Sequence, residues 1–356
     1  MIGIRHLYVH VPFCAHRCGY CDFVTVTGHE DLRTAYVEAV LRELESERHL
    51  LGELETVFVG GGTPTLLGPQ LLERLLRGLP CAAETTVEAN PETVDDALAE
   101  ALVAGGANRV SLGAQSFGAA QLAVLERRTT PAQVVASVAA LRRAGIGNLS
   151  LDLLFGVPGM GLDEVDRDLD AALELLPDHL SCYELEAKPG TRFTHRHGPE
   201  LARQADALED QYEHVIARLE AAGMRWYETA NFTLGDRRSR HNLAYWNGRD
   251  YLGIGIGAVS TLGLVRRTNR PSLARYLEAP VRVEEVLTRE ERDRELVMLG
   301  LRLDDPLDVS ALGHALDPAG VERMVAVGMA RCDGDTLSLT RRGRILANDV
   351  ISSVIA

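Results

Sequence analysis

Short β-branched apolar runs alternate with longer amphipathic stretches through more than half of this chain. The runs predict strands over Leu7–Val11, Thr56–Gly60, Thr85–Ala89, Arg109–Leu112, Leu149–Phe155 and Leu180–Leu185. Between them, apolar positions three and four residues apart predict helices over Leu32–Leu51, Pro69–Leu79, Thr93–Ala104, Pro131–Ala144 and Leu162–Leu176. Asp31 reads as the N-cap of the first helix and Gly145 as the stop of the fourth. Strands that alternate with helices imply right-handed βαβ units and a parallel sheet. Six such units fit a full or partial β/α barrel, and a doubly wound sheet shares the same local pattern. A helix over Ala205–Gly223 and a strand around Trp226–Phe232 follow.

Beyond Tyr276 the pattern changes. Leu287–Leu301 reads as a charged helix, and Leu307–Leu316 and Gly320–Val327 as two short ones. Ala330–Cys332 and Leu337–Leu339 then flank Asp-Gly-Asp, a hairpin signal. Together they predict a small winged-helix-like α+β module.

Charge narrows the partners. With 37 basic against 51 acidic residues the chain carries a formal −14, which argues against a general affinity for nucleic acid. The small module has no dense basic helix, so packing or partner contact is its expected role. The first ten residues already read as a strand, interrupted by Arg5 and His6, which does not fit a secretion signal. The longest weakly polar stretch, Gly253–Val265, is glycine-rich and too short to span a bilayer. A reducing cytoplasm is the expected compartment, and there an N-terminal group of cysteines reads as metal-binding.

Cys14, Cys18 and Cys21 lie in Tyr8-Val-His-Val-Pro-Phe-Cys-Ala-His-Arg-Cys-Gly-Tyr-Cys-Asp-Phe23, a C-x3-C-x2-C spacing. Closed iron–sulfur and structural zinc sites take four protein ligands, whereas a cubane held by three thiolates leaves one iron for an outside ligand. A zinc site completed by His10 or His16 is the alternative, but it does not explain the frame of Pro12, Phe13, Tyr20 and Phe23. Cys81, Cys182 and Cys332 are scattered and read as ordinary buried thiols.

Gly60-Gly61-Gly62-Thr63-Pro64-Thr65 follows the strand ending at Val59. Consecutive glycines permit close backbone approach and leave N–H groups free for a ligand. No Gly-Lys-Thr/Ser follows, so this is not a Walker loop. Glu88, Gln115 and Asp152 stand where three successive strands end, the position that lines the site of a β/α barrel. Arg127, in Leu-Glu-Arg-Arg, has a solvated helix face as its default. In His241-Asn-Leu-Ala-Tyr245-Trp246, a helix would put His241 and Tyr245 on one face. An imidazole with flat rings beside it suits an axial haem ligand, or equally a histidine capping local backbone.

The Cys motif, Gly-Gly-Gly-Thr-Pro-Thr, Glu-Ala-Asn-Pro-Glu, Ser-Leu-Gly-Ala-Gln-Ser-Phe and Asp-Leu-Leu-Phe-Gly-Val-Pro-Gly together resemble the radical S-adenosylmethionine superfamily. Within it the chain is similar to the oxygen-independent coproporphyrinogen III oxidases, and to their HemW-type haem-chaperone branch. That resemblance implies α/β architecture, a partial (β/α)6 barrel, with Cys14, Cys18 and Cys21 ligating a [4Fe–4S] cluster. It implies that Tyr8, Tyr20, Gly61 and Glu88 contact the S-adenosylmethionine on the cluster, and that Gly62, Thr63, Gln115, Arg127 and Asp152 match a second S-adenosylmethionine site. The dehydrogenase carries a fourth cysteine where this chain has Phe23, and an N-terminal extension before the triad. Both differences match the chaperone branch, as does His-Asn-x-x-Tyr-Trp, which makes His241 the expected haem residue. Three regions are expected: a barrel with the cluster over 1–230, a connecting segment with the haem motif over 231–280, and the winged-helix-like module over 281–356. The expected function is haem binding and delivery to an acceptor protein, with a membrane-associated respiratory protein as one candidate. The alternative is oxidative decarboxylation of coproporphyrinogen III to protoporphyrinogen IX.

Overall fold

The computed structural model describes residues 3–186, 188 and 191–356. Its centre is a nine-stranded sheet. The strands are β1 (Ile4–Val11), β2 (Leu51–Gly61), β3 (Ala82–Ala89), β4 (Arg109–Gln115), β5 (Asn148–Phe155), β6 (His179–Glu184), β7 (Arg225–Trp226), β8 (Asn231–Thr233) and β9 (Leu252–Ile254). The order is β7-β8-β6-β5-β4-β3-β2-β1-β9. Strands β1 to β6 pair in parallel with their chain neighbours, as in Val9 with Val59 and Leu112 with Leu151. β9 runs parallel to the free edge of β1, and the β7–β8 hairpin pairs antiparallel with β6. β1 and β6 therefore do not meet. The barrel is partial, with helices on its outside.

Each strand is apolar on one side and polar on the other, the period-two rule. Leu7, Val9 and Val11 of β1, Val57 and Val59 of β2, Val110 and Leu112 of β4 and Leu149 and Leu151 of β5 are wholly buried in the main core. The intervening positions are His6, Tyr8 and His10, then Thr56 and Phe58, Glu84, Thr86 and Glu88, Arg109 and Ser111, Ser150 and Asp152, and His179 and Ser181. They give the barrel a polar lumen. The outer helices are well specified locally. Helix Pro131–Ala144 starts on a reciprocal Thr130–Gln133 capping box with proline in its first turn, and ends on left-handed Gly145.

Several sequence expectations are corrected. The first helix spans Arg33–Glu47 after a 3-10 turn at Glu30–Leu32, so the chain is already turning at Asp31 and its carboxylate caps nothing. Trp226–Phe232 is not one strand: Glu228 accepts from the N–H of Ala230 and bends the chain into the β7–β8 hairpin. Leu307–Leu316 is not a helix, because Leu307–Asp308 pairs with the hairpin and Asp308 turns the chain by accepting from Ser310 N at 2.9 Å. Cys81 and Cys332 are exposed, and only Cys182 is a buried thiol. The stretch 231–280 does more than connect. It supplies β9 and, with Arg282–Val286, an antiparallel meander of Val259–Leu262 and Val265–Asn269.

The C-terminal part has its own small core around Val297, Leu301, Leu337, Val350, Ile351 and Val354. Its sheet joins Leu307–Asp308, Thr336–Leu339 and Ala330–Asp333, packed by helices Pro318–Ala326 and Ala347–Val354. It is held to the barrel by Arg344, whose guanidinium lies 3.7 Å over the Trp226 ring, and by the Arg225–Asp304 ion pair at 2.6 Å. No helix among the described residues is long and apolar enough to cross a membrane.

Candidate functional site

The site is built where β1 and β2 end. Pro12 and Phe13 leave β1 into the cysteine loop, which returns when Cys14 N donates to Val26 O and Val26 N to Pro12 O, both at 2.9 Å. The glycine run lies against it. A Cβ on Gly60 would stand 2.6 Å from Glu88 Oε2, one on Gly61 2.4 Å from the His10 ring, and one on Gly62 2.6 Å from the Pro12 backbone. Gly61 also needs its φ of +113°. Close approach is thus the purpose of this run. Its N–H groups are not left free for a ligand, as the sequence suggested: Gly62 N donates to Val11 O and Thr63 N to Phe13 O, both at 2.8 Å. Gly61 N donates to Glu88 Oε2 at 2.9 Å.

These elements open on a cavity of about 600 Å³. Cys14, Cys18, Cys21, Tyr20, Gly61, Gly62, Thr63, Glu88, Gln115, Arg127 and Asp152 all line it. Residues far apart in sequence therefore converge on one space. Arg127 is not on a solvated helix face. It lies in an irregular segment, and its guanidinium donates to Asn90 Oδ1 at 2.9 Å and Gly113 O at 3.0 Å, with Cys18 Sγ at 4.0 Å. Gln115 sits at a bulge of β4 with φ +66°, a left-handed conformation that costs a non-glycine residue and turns its side chain. Asp152 accepts from Ser111 Oγ at 2.9 Å.

Burial dominates the electrostatics. It raises the Glu88 carboxyl to about 7, with the Gly61 N–H opposing and Asp152 reinforcing, and it pushes Asp152 up as well. It also lifts the Cys14 thiol to about 11, although Thr63 Oγ1, 3.8 Å away, works against it. A bound cation would reverse that, since coordinating thiols deprotonate. Three thiols on one loop with a guanidinium beside one of them suit an anionic thiolate-held cluster. Among the described residues, no three His, Cys, Asp or Glu side chains are already drawn together as a metal cage.

Asn90, Ser111 and Tyr183 also line the cavity and were missed from sequence. Their signal was available in part: Ser111 shares the polar face of β4 with Gly113, and Asn90 lies in Glu-Ala-Asn-Pro-Glu.

Two expected residues lie apart from the cavity wall. Tyr8 is in the lumen, its hydroxyl 3.0 Å from His10 Nδ1 and its ring stacked on Phe58. His10 uses its other nitrogen on Val24 O at 2.8 Å, so both of its ring nitrogens are engaged and it is no fourth metal ligand. His241 is on helix Arg240–Trp246 and shares a face with Tyr245, ring centroids 4.8 Å apart. It is only 1% exposed, stacked on Phe58, with Nδ1 2.7 Å from Thr56 Oγ1 and Nε2 without a partner among the described residues. Burial lowers its pKa to about 3, so the imidazole is neutral. A neutral ring with an unpartnered Nε2 has the chemistry of an axial ligand, yet in this arrangement it is sealed from the cavity.

Comparison with known proteins fits this geometry. The Radical SAM superfamily pattern matches residues 8–172, and the HemN C-terminal domain matches 287–346. A Mycobacterium tuberculosis protein named heme chaperone HemW is 37% identical over 369 residues, covering 98% of this chain and 94% of the relative. The chain belongs to the HemW family. The HemW proteins of Lactococcus lactis, at 38% identity over 83% of this chain and 80% of theirs, and of Escherichia coli, at 32% over 98% of each, agree. The coproporphyrinogen III oxidase HemN of E. coli superposes with a TM-score of 0.84 at 23% identity, over 99% of this chain and 90% of that one, which establishes the shared fold. The cavity residues named above, Tyr183 excepted, fall inside the radical SAM match. His241 falls in neither matched region.

Proposed function

We propose that this HemW-family chain binds haem and passes it to an acceptor protein. In this reading Cys14, Cys18 and Cys21 hold a [4Fe–4S] cluster, and the cavity takes S-adenosylmethionine at the open iron. Such a cluster supplies a low-potential electron and a coordination position for the amino and carboxylate groups of the cofactor. The protein's part is placement. Glu88 and Asp152 offer carboxylate acceptors, Arg127 fixes Asn90 and the end of β4, and Tyr20 lines the cavity from within the cysteine loop. Gln115, Gly62 and Thr63 complete the wall, where a second S-adenosylmethionine would also contact Arg127 and Asp152.

The observation that carries the reading is a cavity presenting three loop thiols, with exposed Phe23 two residues beyond the last of them. It is joined by full-length similarity to proteins named as heme chaperones. His241 is the proposed haem ligand through Nε2, and Tyr8, with Tyr20, Gly61 and Glu88, is assigned to the cluster-bound S-adenosylmethionine. The barrel is assigned to 1–230, the haem segment to 231–280 and the winged-helix-like module to 281–356. A cytoplasmic location fits thiols that must stay reduced.

The test is a haem titration of anaerobically reconstituted protein beside His241→Ala. Near-stoichiometric binding that weakens at least tenfold in the variant supports the reading, and absence of binding in the unaltered protein overturns it. On the same preparation, substrate-dependent release of 5′-deoxyadenosine with protoporphyrinogen formation would favour the decarboxylating reading instead.

A further inference from the structure

A line of buried hydrogen bonds runs from the cavity to the helix that carries His241. Asp152 Oδ1 lies 3.4 Å from Ser150 Oγ, Ser150 Oγ lies 2.8 Å from His179 Nδ1, and His179 Nε2 lies 2.8 Å from the Tyr227 hydroxyl. The Tyr227 oxygen accepts from Ser239 N at 3.2 Å. Ser239 is the N-cap of helix Arg240–Trp246, its Oγ accepting from Asn242 N. His179, Ser150 and Tyr227 are fully buried.

The direction of this line is fixed by its ends. Ser150 gives its proton to the Asp152 carboxylate and so accepts from His179 Nδ1–H, which leaves His179 Nε2 to accept the Tyr227 proton, while the Tyr227 oxygen accepts from Ser239 N. His179 is then the Nδ1–H tautomer and donates to Ser150, and Ser150 donates to Asp152. Burial holds His179 well below its ordinary pKa, which keeps the imidazole neutral as this arrangement requires. Every donor points one way, and the terminal acceptor is a carboxyl group in the cavity wall. Chains aligned in this way polarise one another, so a change at the acceptor is felt along the line.

We infer that His179 and Tyr227 are positioning residues that couple whatever engages Asp152 in the cavity to the docking of the His241 helix. The inference rests on the proposed roles of the cavity and of His241, and it supplies what they lack: His241 is sealed in the lumen and must be released to reach an iron. Two further holds secure the helix. Glu84 accepts from the N–H groups of Arg240 and His241 at 3.3 and 3.2 Å, and Thr56 holds the His241 ring. When a ligand cation or donor draws on Asp152, Ser150 loses its acceptor strength and the Tyr227 grip on Ser239 weakens.

The test is amide hydrogen exchange across residues 240–246 in the full chain, which needs no haem. Asp152→Asn and Ser150→Ala are each expected to speed exchange there about tenfold, with helix Pro131–Ala144 unchanged as the internal control. Tyr227→Phe is expected to do the same, and Ser150→Ala with Tyr227→Phe to exceed neither alone, since both cut one line. Should Tyr227→Phe fail to fold, the Asp152 and Ser150 variants decide the matter by themselves. Exchange over 240–246 that stays at the unaltered level in both Asp152→Asn and Ser150→Ala overturns the coupling. That outcome leaves the haem titration untouched, so the two readings fail separately.

Discussion

Thr56 and His241, separated by 185 positions in the chain, meet inside the barrel with Oγ1 2.7 Å from Nδ1. The same hydroxyl lies 2.9 Å from His6 Nδ1, so it donates to one imidazole and accepts from the other. When it accepts from His241, Nε2 keeps its lone pair for a ligand. Thr56→Val removes the bridge and leaves two buried ring nitrogens unpartnered, at a cost of about 1–3 kcal/mol. Urea unfolding should show a lower midpoint at an unchanged slope, and an unaltered midpoint would discount the bridge.

Gly61 and Gly145 separate two reasons for glycine. Both have φ above +100°, but a Cβ on Gly145 meets nothing within 4 Å among the described residues, whereas on Gly61 it meets the His10 ring at 2.4 Å. Gly145→Ala should cost about 1 kcal/mol, the conformational term alone. Gly61→Ala should cost at least about 2 kcal/mol more through overpacking. It should also lower iron and sulfide incorporation on reconstitution, because the displaced His10 ring bonds Val24 O beside the cysteine loop. Equal losses in the two variants would show that His10 moves freely.

Arg127 uses one nitrogen on both Asn90 Oδ1 and Gly113 O. Its other terminal nitrogen faces Cys18 Sγ at 4.0 Å, and lysine, with one nitrogen and no planar fork, cannot serve that sulfur and the two oxygens at once in Arg127→Lys. S-adenosylmethionine binding to reconstituted protein, measured by equilibrium dialysis, should weaken about tenfold, or about 1.4 kcal/mol. Affinity within a factor of two of the unaltered protein would remove Arg127 from the site.

Glu228, buried at the β7–β8 turn, has its carboxyl raised to about 7 by desolvation, against the opposing Ala230 N–H and Arg344. The folded chain therefore binds a proton that the unfolded chain, near 4.5, has released. Between those values stability falls as pH rises, and the stabilisation from this group is complete only below the lower one. Denaturation midpoints taken from pH 4.5 to 7.5 should decline less in Glu228→Gln than in the unaltered protein. Parallel profiles would show that Glu228 is not the group responsible.

The order of strands and outer helices was legible because each depends on short-range rules. Period two marks β1 to β6, and the helix expected over Pro131–Ala144 with Gly145 as its stop has those bounds. Where local chemistry competes, the reading slipped. Asp31 had a cap's identity but not its place, and Leu307–Leu316 had helical spacing that sheet pairing overrode. β9 is only three residues long and exists because β1 offers it a free edge.

From the sequence alone came the chemistry of the site: three thiols without a fourth, glycines that admit a close neighbour, and carboxylates on the strands. The tertiary structure decided which of these share a space. It brought Arg127 inward to Asn90, and it took His241 away from the cavity and into the lumen. The reason is physical. Residue type and spacing set what a side chain can do within a turn or two of backbone, while burial and partners arise only when β2, β3 and the 240–246 helix, far apart in the chain, close on one another.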